Sequence, residues 1–416
     1  MSRIKSVSAI EILDSRGRPT LLARCELSDG VVGRASAPSG ASTGSAEALE
    51  LRDRDPARYA GLGCLKAAEN VSQHIHRAIA GGDFASQEAL DRCLVDLDGT
   101  DKKSRLGANA ILSVSLAFAR AQAAQRGVEL YRHFADIAGT APRLPKPMIN
   151  LYSGGLHAGR QVAIQDVQIV APSAAGIRET LAVVSDVFRA AAKGLHENYH
   201  MRLLTADEGG LAPPFATSQA MFREAVRAIE TAGYAPSDEV ALTVDVAASH
   251  FYDDGVYHLD GEQLDSANMV DHIDEWRRYF PIVSVEDGLD ESDWDGWRRL
   301  YERLRGTVML LGDDLLCTNP VRIRRAIKEK AADSLLLKVN QIGTLTEAAE
   351  ALRLAREAGW HVVVSARSGE TEDDWLADLA VGWAGDYIKV GSITQSERLA
   401  KYNRLLELEH YAGLSF

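Results

Sequence analysis

Between Val240 and Ser392 the chain repeats one event six times: a short apolar run ends in a charged residue. ALTV leads to Asp245, PIVSV to Glu286, VMLLG to Asp313, SLLL to Lys338, VVVSA to Arg367 and YI to Lys389. Amphipathic stretches such as 319-330, 344-358 and 371-382 lie between the runs, so each interval holds one strand and one helix. The rhythm prescribes a parallel βα array, because strands covered on both faces by crossover helices read as unbroken Val/Ile/Leu runs. An ion left without a partner among such strands is strongly destabilising. Three acids and three cations at successive strand ends therefore belong to one shared site. In a closed (β/α)8-type barrel the carboxyl ends of the strands meet on one face, where that site is expected.

The chain of 416 residues is too long for a barrel alone, which takes about 250 residues, so a second domain is expected. The proline-rich PRLPKP stretch, Pro142 to Pro147, divides two differently patterned halves and places the boundary between 1-140 and 141-416. In the first half, residues 3-36 alternate apolar and polar positions around an Asp29-Gly30 hairpin signal, and helical patterns follow at 65-80, 86-96 and 107-127. These predict an N-terminal α+β capping domain. Between them lies APSGASTG, residues 37-44, where Gly40, Gly44 and three hydroxyl residues disfavour helix and strand, so a mobile loop is expected.

Asp and Glu number 59 against 46 Lys and Arg, and the net charge of -13 offers no basic footprint for nucleic acid or an anionic membrane. No apolar run reaches the length of a membrane span, and the N-terminus, with Arg3, Lys5 and Glu11, has no signal-peptide core. Cys25, Cys64, Cys93 and Cys317 show no CxxC spacing, which points away from zinc and disulfides. A soluble, cytoplasmic protein with reduced thiols is expected.

Asp245, Glu286 and Asp313 offer oxygen ligands suited to a hard cation, for which Mg2+ is the natural choice. The competing reading is that each acid caps the next helix, a role Asp287 and Asp314 also suit. Three acids at successive junctions favour the metal cage. Lys338 alternates with Leu336 and Asn340 on one strand face, pointing into the barrel. Burial and a nearby metal charge are expected to lower its pKa from about 10.4 towards that of a general base, with Lys389 holding a developing oxyanion. Glu208 in ADEGG, ahead of Gly209-Gly210, is a general-acid candidate on a flexible turn at a strand end. His157 follows a Gly pair in SGGLHAG. Arg367-Ser368-Gly369 opens a helix expected from Thr371, an arrangement that suits a phosphate or phosphonate.

DSRGRPT, APSGASTG, LDGTDKKSRLGANAILSVSLA, GGLHAG, DEGG, VEDGLDESDWDGW, GDDLLCTN, LLLKVNQIGTLTEA, RSGETED and SERLAKYN occur in that order along the chain. Through these motifs it resembles, end to end, the enolase family of Mg2+-dependent phosphopyruvate hydratases. The resemblance implies a small α+β domain followed by a barrel whose opening strands leave strict βα order. It implies a first Mg2+ on Asp245, Glu286 and Asp313, a second helped by Ser42, and a small anionic substrate. It further implies Lys338 as the base, Glu208 as the acid towards the leaving hydroxyl with Asp166 as its partner, and His157 beside them. Lys389 and Gln165 would meet the substrate, Arg367 and Ser368 its phosphate, and two copies of the chain would form a homodimer.

Several positions depart from the family pattern. Asp166 stands where enolases usually carry Glu, Ala366 where they carry His, Ser153 for Asn, Ala206 for Gly, Val390 for Thr and Gln395 for Arg. Ile10 replaces an Arg commonly placed four residues before the Asp of DSRG. Arg160, after His157, is either a solvated surface residue or a partner for a further anionic group on a larger ligand. The changes gather around the leaving group and phosphate while the base and metal residues remain, as a changed substrate or second step would require. Three functions compete: an enolase acting on 2-phosphoglycerate; an enolase-like enzyme of phosphonate natural product biosynthesis, of the carboxyphosphonoenolpyruvate synthase type; and a non-catalytic enolase-fold binding protein. The third has no physical need for such a desolvated charge cluster.

Overall fold

The computed structural model describes residues 2–41 and 44–416; Ser42, expected at a second metal, and Thr43 lie outside the described residues. Strands β1 (Ser2–Leu13), β2 (Pro19–Leu27) and β3 (Val32–Ser36) form an antiparallel sheet, with the short β4 (Asp83–Phe84) added beside the start of β1. The Asp29-Gly30 turn joins β2 to β3 as its sequence predicts, Gly30 taking a left-handed φ of 90°. Helix Ala108–Arg126 packs on this sheet through its many small residues. The approach is so close that a Cβ on Gly33 would stand 2.0 Å from the Ala117 carbonyl oxygen.

The second half is a closed eight-stranded barrel made of β5 (Lys146–Ser153), β6 (Asp166–Val170), β7 (Ala241–Asp245), β11 (Ile282–Glu286), β12 (Met309–Gly312), β13 (Ser334–Leu337), β14 (His361–Ser365) and β15 (Tyr387–Gly391). A small sheet of β8 (Tyr252–Asp253), β9 (Val256–Leu259) and β10 (Glu262–Leu264) sits between β7 and β11 in the chain. Strand β6 runs antiparallel to both β5 and β7, whereas every other barrel pairing is parallel. The barrel therefore opens with two strands in succession before the βα rhythm sets in. Met148, Val170, Ala241, Leu311, Leu336 and Val363, one from each of six strands, pack together as the barrel's inner core. Their neighbours Leu335, Leu337, Val362 and Val364 join the larger core shared with the surrounding helices. The uninterrupted apolar runs are thus explained by burial on both faces.

Helices Pro320–Glu329 and Leu345–Glu357 fall on two of the predicted amphipathic stretches. The helix expected from Thr371 begins only at Trp375. Residues before it are engaged with the N-terminal domain instead: the Ser36 N–H donates to Asp373 at 2.9 Å and its hydroxyl bonds that of Thr371 at 2.5 Å. Ser39 and Gly369 exchange reciprocal main-chain hydrogen bonds of 2.8 and 2.9 Å, which seat the expected loop region on the barrel rim. Elsewhere along the interface Lys103 pairs with Glu347 at 2.8 Å, and Asp91 accepts from the main chain and hydroxyl of Thr346. Among the described residues no helix is long and apolar enough to cross a membrane.

Candidate active site

The six charges found by sequence rhythm all lie at one end of the barrel. Asp245 and Glu286 are the last residues of β7 and β11 and stand in register with each other. Asp313 and Lys338 follow β12 and β13 directly, Arg367 comes two residues after β14, and Lys389 lies within β15 opposite Ser365. Because β6 is reversed, its first residue joins this face: Asp166 pairs with Ser153 on one side and Asp245 on the other.

Lys389 Nζ stands 2.8 Å from Asp245 Oδ2 and 2.8 Å from Glu286 Oε2. Burial opposes its charge, but the two carboxylates outweigh that and hold the ammonium well above its ordinary pKa. Asp245 is likewise charged: burial works against its ionisation, and Lys389 more than compensates. Glu286 goes the other way, raised by burial and by the charge of Asp245. Lys338 Nζ is ion-paired to Asp313 Oδ2, and its side chain is 11% exposed. The expected fall in its pKa is not found. Burial does press downwards, but Asp313 reverses it and leaves the ammonium above the ordinary lysine value. Lys338 continues the extended path of β13, yet Asn340 does not share its strand face, because Val339–Ile342 turns into a short helix.

Around these pairs stand Gln165 and Arg367, both expected at the site, and Gln341, Asn340 and Glu47, to which the sequence reading gave no site role. Gln341 Nε2 donates to Asp313 Oδ1 at 2.7 Å, and Gln165 Nε2 to Asp245 Oδ2 at 3.1 Å. Arg367 is buried, with Nη1 at 3.0 Å from Glu47 Oε2 and 2.9 Å from Asn340 Oδ1. Gln341 and Asn340 lie inside the LLLKVNQIGTLTEA motif, which was the available signal; Glu47 had none beyond its place after Gly44.

Beside Asp245, starting from Asp166 on the neighbouring strand β6, stands a second cluster. His157 Nδ1 lies 3.0 Å from Asp166 Oδ2, and its Nε2 is 4.0 Å from Glu208 Oε1. Asn150 Nδ2 donates to both carboxylates, at 3.0 Å to Asp166 Oδ1 and 3.0 Å to Glu208 Oε2. Ser153 also donates to Asp166 Oδ1. Burial disfavours protonated His157, but Asp166 and then Glu208 overcome it and raise its pKa to about 9. Burial raises Asp166, whereas in Glu208 the same effect is outweighed by His157, Arg398 and Lys389, leaving it below the usual carboxylate range. Glu208 is not at a strand end. It sits in a turn between helices Ile177–Tyr199 and Ser218–Thr231, and that turn is pinned by the Ser392 N–H donating to the Glu208 carbonyl at 2.8 Å. Arg160 is exposed and adopts a left-handed φ of 63°.

The donor set suits a hard divalent ion. Asp245, Glu286 and Asp313 present only oxygens, and Glu286 Oε1 is buried with no hydrogen-bond partner among the described residues. Asp313 also belongs to a tight group with Asp287 and Asp314, in which carboxylate oxygens lie within 4.8 Å of one another. Asp287 acts there as a brace, accepting the N–H groups of Asp313 at 3.0 Å and Asp314 at 2.6 Å. It therefore caps the turn after the neighbouring strand β12. Burial and then the charge of Asp313 push Asp314 up to about 8.

Ser368 does not lie at a helix N-terminus, since the following helix starts at Trp375, but it remains beside Arg367 on the same rim. Comparison with known families accounts for the whole arrangement: residues 4–134 match the enolase N-terminal domain and residues 141–415 the enolase C-terminal TIM barrel domain. The motifs, the barrel with its one reversed strand and the two matches converge, and the chain belongs to the enolase family.

Proposed function

We propose that the protein is a Mg2+-dependent enolase-like lyase in which Lys338 removes the α-proton of 2-phosphoglycerate or a close phospho or phosphono acid, giving an enolpyruvate product. The observation that carries this reading is the placement of buried Lys389 and largely buried Lys338 against three carboxylates on one barrel face, beside the His157, Asp166 and Glu208 cluster. Asp245, Glu286 and Asp313 would hold the ion, which supplies electrostatic stabilisation of the substrate carboxylate as its α-proton leaves. Once its pairing with Asp313 is relieved and its ammonium has released a proton to solvent, the neutral Lys338 Nζ accepts the α-proton, and Lys389 holds the growing oxyanion. Arg367 and Ser368 bind the phosphate or phosphonate, while Gln165 and His157 line the substrate side.

Glu208 and Asp166 act as a linked carboxyl pair at the leaving hydroxyl. Asn150 joins them by donating to each carboxylate, and their pKa values shift in opposite directions, Asp166 up and Glu208 down. A cytoplasmic homodimer completes the reading. Its test is loss of α-deuterium from labelled 2-phosphoglycerate in the presence of Mg2+. Exchange by the wild type and its loss in Lys338→Ala are expected; equal exchange by both removes Lys338 as the base, and none by the wild type removes the reaction on this substrate.

One observation favours a changed substrate, for which an enzyme of the carboxyphosphonoenolpyruvate synthase kind is the alternative reading, over plain enolase. Ser153 and Asp166, two of the departures from the family pattern, hydrogen-bond each other, so these two substituted side chains are fitted to one another within the altered wall. An Asp carboxylate reaches one methylene less far than Glu, and misplacing a catalytic group by about 1 Å can lower a rate roughly a hundredfold. Asp166→Glu combined with Ala366→His is expected to raise activity on 2-phosphoglycerate. A wild type already turning over at roughly 10 per second, with no gain in the double variant, returns the protein to ordinary enolase.

A further inference from the structure

The DSRG turn of the N-terminal domain reaches into the barrel rim at the anion-binding residues. Arg16 has a side chain only 5% exposed, and Asp14, wholly buried, grips it at 2.9 Å. Arg16 Nη1 donates to Ser368 Oγ at 3.0 Å, while Nη2 donates to the Ser39 carbonyl at 3.0 Å. Ser15 reinforces the contact through its N–H to the Glu370 carbonyl at 2.7 Å and its hydroxyl to the Ser368 carbonyl at 3.3 Å. Gly369 provides the necessary space, since a Cβ there would lie 2.2 Å from Asp14 Oδ2 and 2.4 Å from Arg16 Nη2.

We infer that Arg16 is a positioning residue for the anion subsite, acting through Ser368 from the other domain. The hydroxyl of Ser368 accepts from a charged guanidinium, so its own proton is directed elsewhere and has no acceptor among the described residues. A hydroxyl that accepts from a cation becomes a stronger donor in turn. The ligand this arrangement serves is the tetrahedral oxyanion of a phosphate or phosphonate, whose oxygens accept from Ser368 and Arg367. Arg16 fixes the rotamer of Ser368 and adds positive potential behind it. The inference rests on the reading of Arg367 and Ser368 as the phosphate-binding pair.

The test is a double-mutant cycle read by calorimetric titration of the full chain with inorganic phosphate in the presence of Mg2+. Arg16→Gln is expected to weaken phosphate binding about tenfold, as loss of a hydrogen bond to a charged group typically does. In a Ser368→Ala background the same change should weaken it less than about twofold, because the route through the hydroxyl is already gone. Arg16→Lys, which keeps the charge, should recover part of the loss. Should Arg16→Gln fail to fold with Asp14 left buried and unpaired, Asp14→Asn combined with Arg16→Gln removes both charges and takes its place. Unchanged affinity in the Arg16 variants, or an equal loss with and without Ser368, overturns the inference while leaving the phosphate-binding pair in place. Absence of phosphate binding by the wild type overturns that pair as well.

Discussion

His157 is buried between two buried carboxylates, and its charge is therefore part of the folded state's stability. Burial lowers the pKa of such a ring, but Asp166 and Glu208 win and bring it from 6.5 to about 9. A group bound more tightly to its proton in the folded chain stabilises the fold fully below its unfolded pKa and loses that contribution as pH rises through the folded value. The shift corresponds to something on the order of 3 kcal/mol. His157→Gln should therefore be destabilised most at and below pH 6.5, with the gap to wild type closing as pH rises through about 9. Urea unfolding of both proteins across this range, without metal, measures it; a gap that stays constant or widens removes the imidazolium from the account. Side chains like His157 are half-legible in sequence, since a Gly pair marks the turn but nothing marks the acids it meets. The strand-end charges were legible because an ion interrupting an apolar run has few other places to go. Asn150 was not, because one amide in MINLYS changes neither charge nor periodicity, and Glu47 and Arg16 occur in polar stretches that are buried only when the two domains dock.

At the scale of elements, the rim is built where β14 leaves the barrel and the chain delays its next helix. The stretch 371-382 carries a helical pattern throughout, yet the first turn is given up because Thr371 and Asp373 hold Ser36 of the facing sheet. Local periodicity had no access to that competition. The direction of β6 was also illegible from its residues, since alternation along a strand is the same read either way; only the family resemblance foretold an irregular opening. The same junction yields a prediction. A Cβ at Gly369 would come within 2.8 Å of the Ser39 carbonyl as well as against Asp14 and Arg16. Gly369→Ala should cost about 1–3 kcal/mol, as overpacking a tight contact does, and should expose the segment around Ser39 to proteolysis. Thermal unfolding and limited digestion check this, and a variant as stable and resistant as wild type means the two domains are not held together here.

For the molecule as a whole, the largest question outside the site is what meets the flank of the N-terminal domain. Ile10, Leu13, Tyr59, Leu62 and Leu65 are between 36% and 59% exposed there, and Glu11 ties their two segments together through Arg58 and the Cys64 N–H. Loss of one exposed ion pair at Ile10 removes only about 0–1 kcal/mol, too little to abolish an association resting on apolar area. A dimer at micromolar concentration is expected in sedimentation, and Leu13→Glu with Leu65→Glu should give monomers; a monomeric wild type overturns the expectation. The closing seam of the barrel carries a different kind of consequence. The strand that seals the cylinder, β15 against β5, is also the one that brings Lys389 between Asp245 and Glu286. During synthesis the ribosome delivers both acids well before that lysine, and until it arrives they face each other without their counter-ion. Growing chains are thereby denied a finished charge cluster until β15 has been made.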